Sequence, residues 1–192
     1  MGFFKNIEKF VMFGLVAPLL AVNLILTSIL FYMLIPIISP TYNIEYAQRT
    51  VQQIMPLVKA DAMVVWGVNL ETNSRKPLSY AVSDPKDHAV FMKYVETAQE
   101  MKFTAAVNPQ IFQSLLVGDG VCYNIGNTGI VSSTIVGDFI RDNPNAMSCS
   151  VPIANPSTGI LNSYVLMVWK QPLDAERQRA VLQQVKVTIN QR

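Results

Sequence analysis

This sequence is short of charge. Of its 192 residues, 15% are charged and 51% are hydrophobic, whereas soluble domains usually carry about 25% charge. Between Lys9 and Glu45 there is no charged residue at all. There is also no basic block. Two of the 15 Lys/Arg and one of the 13 Asp/Glu precede Phe10, so the rest of the chain is close to neutral. That balance speaks against a nucleic-acid surface or a patch for anionic lipids.

Motifs for catalysis are missing too. The one histidine, His88, falls at the start of a predicted helix beside Asp84 and Asp87. A Ser/His/Asp arrangement would have to use it, and no G-x-S-x-G turn is there to present a serine. A solvated surface position is the better reading. One histidine and two distant cysteines lack the paired ligands of a zinc site. Gly118, Gly120, Gly126 and Gly129 are not followed by Gly-Lys-Ser/Thr, so they read as turn glycines rather than a phosphate loop. Trp66 and Trp169 lie on apolar runs, where core packing is favoured over ligand stacking. The expectation is no enzyme, no metal and no cofactor.

What the sequence does have is one long apolar run, Phe10 to Pro40. A bilayer core needs roughly 20 apolar residues as helix. Met12 to Leu34 supplies them before Pro36 and Pro40 break the pattern. The run is longer than the h-region of a cleaved signal peptide, and no small-x-small site follows it cleanly. The expected division is a tail at 1–10, a transmembrane helix at 11–38 and an extracytoplasmic domain at 41–192. Lys5, Lys9 and the N-terminal amine precede the helix, and the first basic residue after it is Arg49. The positive-inside rule then puts the N-terminus in the cytoplasm and the domain in the periplasm of a Gram-negative host. Asn23 and Thr27 share a helix face, with Ser28 near. They read either as interhelical hydrogen-bonding groups for self-association in the bilayer, or as side chains bonded to their own backbone.

The domain begins with a helix over 43–60, its apolar positions at Ile44, Ala47, Val51, Ile54, Met55 and Val58, continuing from the anchor as a stalk. Pro56 should kink or shorten its last turn. A β-branched run at 62–70 and a strand at 77–82 flank a polar turn, ETNSRK. Ser83 or Asp84 with Pro85 starts a helix reaching about Met101. Asn108-Pro109 starts another, which Gly118 stops. Strands follow at 120–125, 130–136, 147–153 and 159–170, then a closing helix at 174–189. Hairpins with interposed helices mean an α+β fold. The order is like that of PAS, GAF and Cache sensor domains, in which a central antiparallel sheet carries helices.

Cys122 and Cys149 each fall on a predicted strand. Outside the cytoplasm they would tend to be oxidised, which favours a disulfide. Two buried free thiols are the alternative.

The segment from Ala146 to Ile189 resembles the C-terminal part of the T-even-type phage holins. The matching features are Met147-Ser148-Cys149 opening a strand, a turn ending near Gly159, a strand ending at Trp169, and the closing helix. The resemblance implies a protein that clusters in the host inner membrane and opens lesions through which endolysin escapes. It also implies an antiholin-type partner bound by the periplasmic domain, which times lysis. In that family the domain holds a disulfide. Cys149 matches in place, but Cys122 lies upstream in the sheet rather than in the closing helix, and the tail has no amphipathic helix beyond NIEKF. Two other readings use the same layout: a membrane-tethered sensor or ligand-binding module, and an assembly subunit of an envelope complex. Respiration that stops abruptly after induced expression would mark the holin.

Overall fold

The computed structural model describes residues 14, 16–38, 43–99, 102–103, 109–125, 142–155 and 158–190. The tail at 1–10, the join at 39–42, the turn at 126–129 and the strand expected at 130–136 lie outside the described residues. The chain divides into two units, Met1–Ser39 and Pro40–Arg192.

In the first unit, helix α1 spans Ala17–Ile38, 22 residues with no charge at either end. Pro18 sits in its first turn, where a missing N–H costs nothing. The helix runs through Pro36, where a break was expected. A proline removes its own N–H bond, and close to a helix end few further bonds depend on it. Side chains are described for residues 18–30 of this helix, and all of them are exposed. Among the described residues, no helix is long and apolar enough to cross a membrane.

The second unit opens with α2, Ile44–Val58. Asn43 caps it, its side chain accepting from the Tyr46 N–H at 2.9 Å. Pro56 is accommodated inside the helix, which continues to Val58 and ends at Lys59 in the left-handed conformation. Next come β1, Ala62–Asn69, and β2, Ser74–Val82. Asp84 accepts from the Lys86 N–H and opens a 3₁₀ turn at Pro85–Asp87, which leads into α3, His88–Gln99. Helix α4 is Pro109–Leu116, and Gly118 follows it at φ +85, the usual helix-stop glycine. Strands β3 (Val121–Asn124), β4 (Met147–Ala154) and β5 (Leu161–Trp169) complete the sheet. Asp174 caps the closing helix α5, Ala175–Asn190, accepting from the Arg177 N–H at 2.8 Å.

The described strands form one antiparallel sheet in the order β2-β1-β5-β4-β3. Strand β1 is buried along nearly its whole length, because alternate residues serve two cores. Met63 and Val65 join α2, α5 and the inner residues of β4 on one face. Val64, Trp66 and Val68 face Val95 and Ala98 of α3, Phe103, and Ile111 and Leu115 of α4. A run of apolar residues without alternation is what a doubly covered strand requires.

The β1–β2 turn is shorter than the sequence suggested. Asn69 accepts from the N–H groups of Glu71 and Thr72, and Asn73 adopts φ 50. Four residues therefore reverse the chain. Ser74, Arg75 and Lys76, expected in a six-residue loop, belong to β2.

Candidate functional site

That correction places a charge inside the domain. Arg75 pairs with Val68 across the hairpin, and directly opposed residues share a face of the sheet. Val68 belongs to the α3/α4 core, so the Arg75 side chain enters the same core. It is 5% exposed.

The guanidinium meets an aromatic frame. Its Cζ lies 4.4 Å from the centroid of the Trp66 ring, which is cation–π range. Nη1 donates to the Tyr164 hydroxyl at 2.8 Å, and Nε donates to the Ala98 carbonyl at 3.3 Å. Trp66 stacks with Tyr164 at 6.4 Å and meets Tyr94 edge-on at 6.2 Å. Phe103 packs against Tyr164 at 5.7 Å. Phe103 is held to the hairpin by its N–H, which donates to the Asn73 carbonyl at 2.9 Å.

The hydrogen bonding is incomplete. A guanidinium has five N–H donors. Two are used, so three have no partner among the described residues. No described carboxylate pairs with Arg75. Burial pulls its pKa down, but the phenols of Tyr164, Tyr94 and Tyr123 push it up by more, so it stays charged. Burial raises the Tyr164 phenol well above the usual range, against the opposing pull of Arg75. Tyr123 is half-buried as a residue. Burial of its phenol raises its pKa, and hydrogen bonds with Ser150 and Ser148 work the other way. Burial thus holds the Tyr164 and Tyr123 phenols in their neutral form at physiological pH, and the positive charge has no negative partner among the described residues.

A buried charge without a counterion is expensive unless something completes it. Carbonyl, hydroxyl and indole contacts satisfy Arg75 in part. The indole N–H of Trp66 is also buried without a partner, but so is that of Trp169 on the opposite face. An unpaired indole does not define the site; the guanidinium does. Arginine does not lose its proton, so Arg75 itself is neither a general acid nor a general base. Among the described residues no group of three His, Cys, Asp or Glu side chains could hold a metal ion.

The residues singled out from sequence fall elsewhere. Cys122 and Cys149 are bonded to each other and are register partners between β3 and β4. Both pack in the α2/α5 core, across the sheet from Arg75. Neither lies on α5, so the bond differs from the one the holin resemblance implies. On α1, the Thr27 hydroxyl donates to the Asn23 carbonyl at 2.7 Å and the Ser28 hydroxyl to the Leu24 carbonyl at 2.8 Å. Both hydroxyls thus bond their own backbone. Trp66 and Trp169 are core residues, as expected. His88 is exposed and stacks on Tyr80 at 5.8 Å. Arg75 was missed because its neighbours look like a solvated turn. Loop length was the available signal, since hairpin loops rarely exceed five residues.

Neither a family model nor a curated protein matches the sequence. Solved structures do resemble it. The GAF domain of A. aeolicus Nlh2 in an inactive state is 11% identical, with a TM-score of 0.51 over 78% of this chain and 82% of that one. A GAF domain/HD domain protein from Geobacter sulfurreducens is 14% identical, with a TM-score of 0.48 over 74% and 86%. A GAF domain from Synechocystis in its photoproduct state is 13% identical, with a TM-score of 0.46 over 78% and 94%. The fold is GAF-like: a five-stranded antiparallel sheet with flanking helices.

Proposed function

We propose that a GAF-like domain works here as a ligand-binding or sensor module tethered to a membrane. The observation that carries this is Arg75, buried and charged, with no described carboxylate against it. Perturbed charges concentrate at functional sites. Natural cores seldom keep such a charge without a use for it.

The tether is α1. Its 22 residues carry no charge and belong to the sequence stretch between Lys9 and Glu45 that has no charged residue, a stretch longer than the roughly 20 residues a hydrocarbon core needs. Leu19, Leu20, Val22, Leu24, Ile25, Leu26, Ile29 and Leu30 are all exposed, which suits lipid and not water. With Lys5 and Lys9 before it, the proposed topology is N-terminus in the cytoplasm and domain in the periplasm. A thermal-shift screen of the full chain in uncharged detergent tests the module. At least one small molecule should raise Tm and alter Trp66 fluorescence in a Trp169→Phe background. No response from anionic, neutral or cationic compounds would contradict the reading.

The holin reading stands second, favoured by the same uncharged helix. It adds self-association through Asn23, whose side chain makes no bond among the described residues, and an antiholin-type partner. Induced expression in a Gram-negative host should then collapse the membrane potential at a reproducible time. Continued growth with intact potential would exclude it.

A further inference from the structure

We infer that the ligand of the α3/α4 face is a small oxyanion, its oxygens held by the unpaired N–H groups of Arg75. This rests on the ligand-binding reading and narrows it to one class of ligand.

Charge balance comes first. Arg75 is the charged residue in the buried set, at 5% exposure, and it pairs with no carboxylate among the described residues. A neutral ligand would leave that charge uncompensated, and a cation would be repelled. An anion removes the imbalance, and in a desolvated site the attraction is strong.

Donor and acceptor counting points the same way. The unmet groups are donors: three N–H on Arg75 and the indole N–H of Trp66 beside it. Several of the hydroxyls nearby already have partners. Tyr164 accepts from Arg75, Ser148 donates to the Met167 carbonyl at 2.9 Å, and Tyr123 bonds with Ser150 and Ser148. A ligand offering acceptors completes this set of donors.

Geometry adds shape. The contacts of Arg75 come through Nε and one Nη1 hydrogen. The free donors lie on Nη1 and Nη2 at the end of the guanidinium, where charge-assisted hydrogen bonds to the oxygens of a carboxylate or phosphate are strong. The Trp66 ring is occupied by Arg75, Tyr164 and Tyr94, so the oxyanion, not ring stacking, should dominate recognition.

The test uses the full chain carrying Trp169→Phe, in uncharged detergent, read by Trp66 fluorescence and by Tm. The probes are acetate, benzoate, phosphate and sulfate, with chloride at matched ionic strength. Benzamide and benzylamine present the benzoate ring neutral and cationic. A saturable response to a carboxylate or to phosphate is expected, none to chloride, and the stronger of the two identifies the source of the oxyanion. Arg75→Gln should weaken the response about 10- to 100-fold, the range for a lost charged hydrogen bond. Should that variant fail to fold, Arg75→Lys keeps the charge without the fork and should still bind more weakly. Equal responses to chloride, or affinity unchanged in the Arg75 variants, would overturn the inference. Binding of benzamide with no response to anions would overturn it while leaving the module intact. Silence from every probe would remove both.

Discussion

Arg75 and Tyr164 stand 89 positions apart in the chain and are joined by a 2.8 Å hydrogen bond inside the domain. The bond links the edge strand β2 to the central strand β5, across β1. It also fixes the guanidinium over Trp66. The function proposed above depends on this arrangement, and so does part of the stability.

Arg75→Met is expected to leave stability unchanged or raise it by about 1–2 kcal/mol, because a desolvated charge is replaced by an apolar side chain of similar length. Tyr164→Phe in the parent should cost about 1–3 kcal/mol by stripping an acceptor from a buried donor. In the Arg75→Met background that cost should largely vanish. Denaturant titration of the two single variants and the double variant measures the coupling. Additive effects would show that the hydrogen bond contributes nothing.

Much of the scaffold was readable in the chain. Asp84-Pro85 and Asn108-Pro109 announce helix starts by capping chemistry and a tolerated proline. The run at 62–70 is apolar because both of its faces are covered, and the sequence shows that directly. Strand order was not readable, since nothing local tells β1 that its second neighbour is β5, about a hundred residues away. Arg75 illustrates the limit best. SRK looks like a solvated turn, and what draws it inward is Trp66 and Tyr164. The pairing of Cys122 with Cys149 needed the register of β3 on β4, which sequence leaves open between a bond and two thiols.

That disulfide closes a loop of 27 residues by sequence separation, worth about 3.5 kcal/mol in the chain-entropy model. Replacing both cysteines with alanine should lower Tm by on the order of 10 °C. Scanning calorimetry of the oxidised, reduced and doubly substituted chains checks this. Identical melting of the three would mean that the bond does not stabilise the fold.

Alkaline pH should unfold the domain. Lys170 has its pKa raised by its hydrogen bond to Asp87, an ion pair of 2.6 Å, over the opposing effect of burial. Tyr123 and Tyr164 are raised by burial. All three have folded pKa values above their unfolded ones. Their stabilisation is therefore complete below about pH 10 and is lost as pH rises through the folded values. In absorbance titration at 295 nm, two of the seven tyrosines should ionise only as the protein unfolds. Lys170→Met should remove about 1 kcal/mol or less of the pH-dependent part, since the pair is partly exposed. Smooth ionisation of all seven tyrosines without unfolding would contradict the burial of Tyr123 and Tyr164.

Topology is checked by reporter fusions after Arg192. With Lys5 and Lys9 retained inside, alkaline phosphatase should be active and green fluorescent protein dark. The opposite pattern would place the domain in the cytoplasm and remove the oxidising environment invoked for the cysteines.

The most direct measurement is the Nε–H resonance of Arg75 in the full chain labelled with 15N-arginine, followed while benzoate, benzamide and benzylamine are added in turn. The expected result is a saturable shift of Arg75 with benzoate, at the midpoint of the Trp66 response, while the exposed Arg49, Arg177 and Arg179 stay in place. An Arg75 resonance that no probe moves would contradict the assignment of a ligand site to this face.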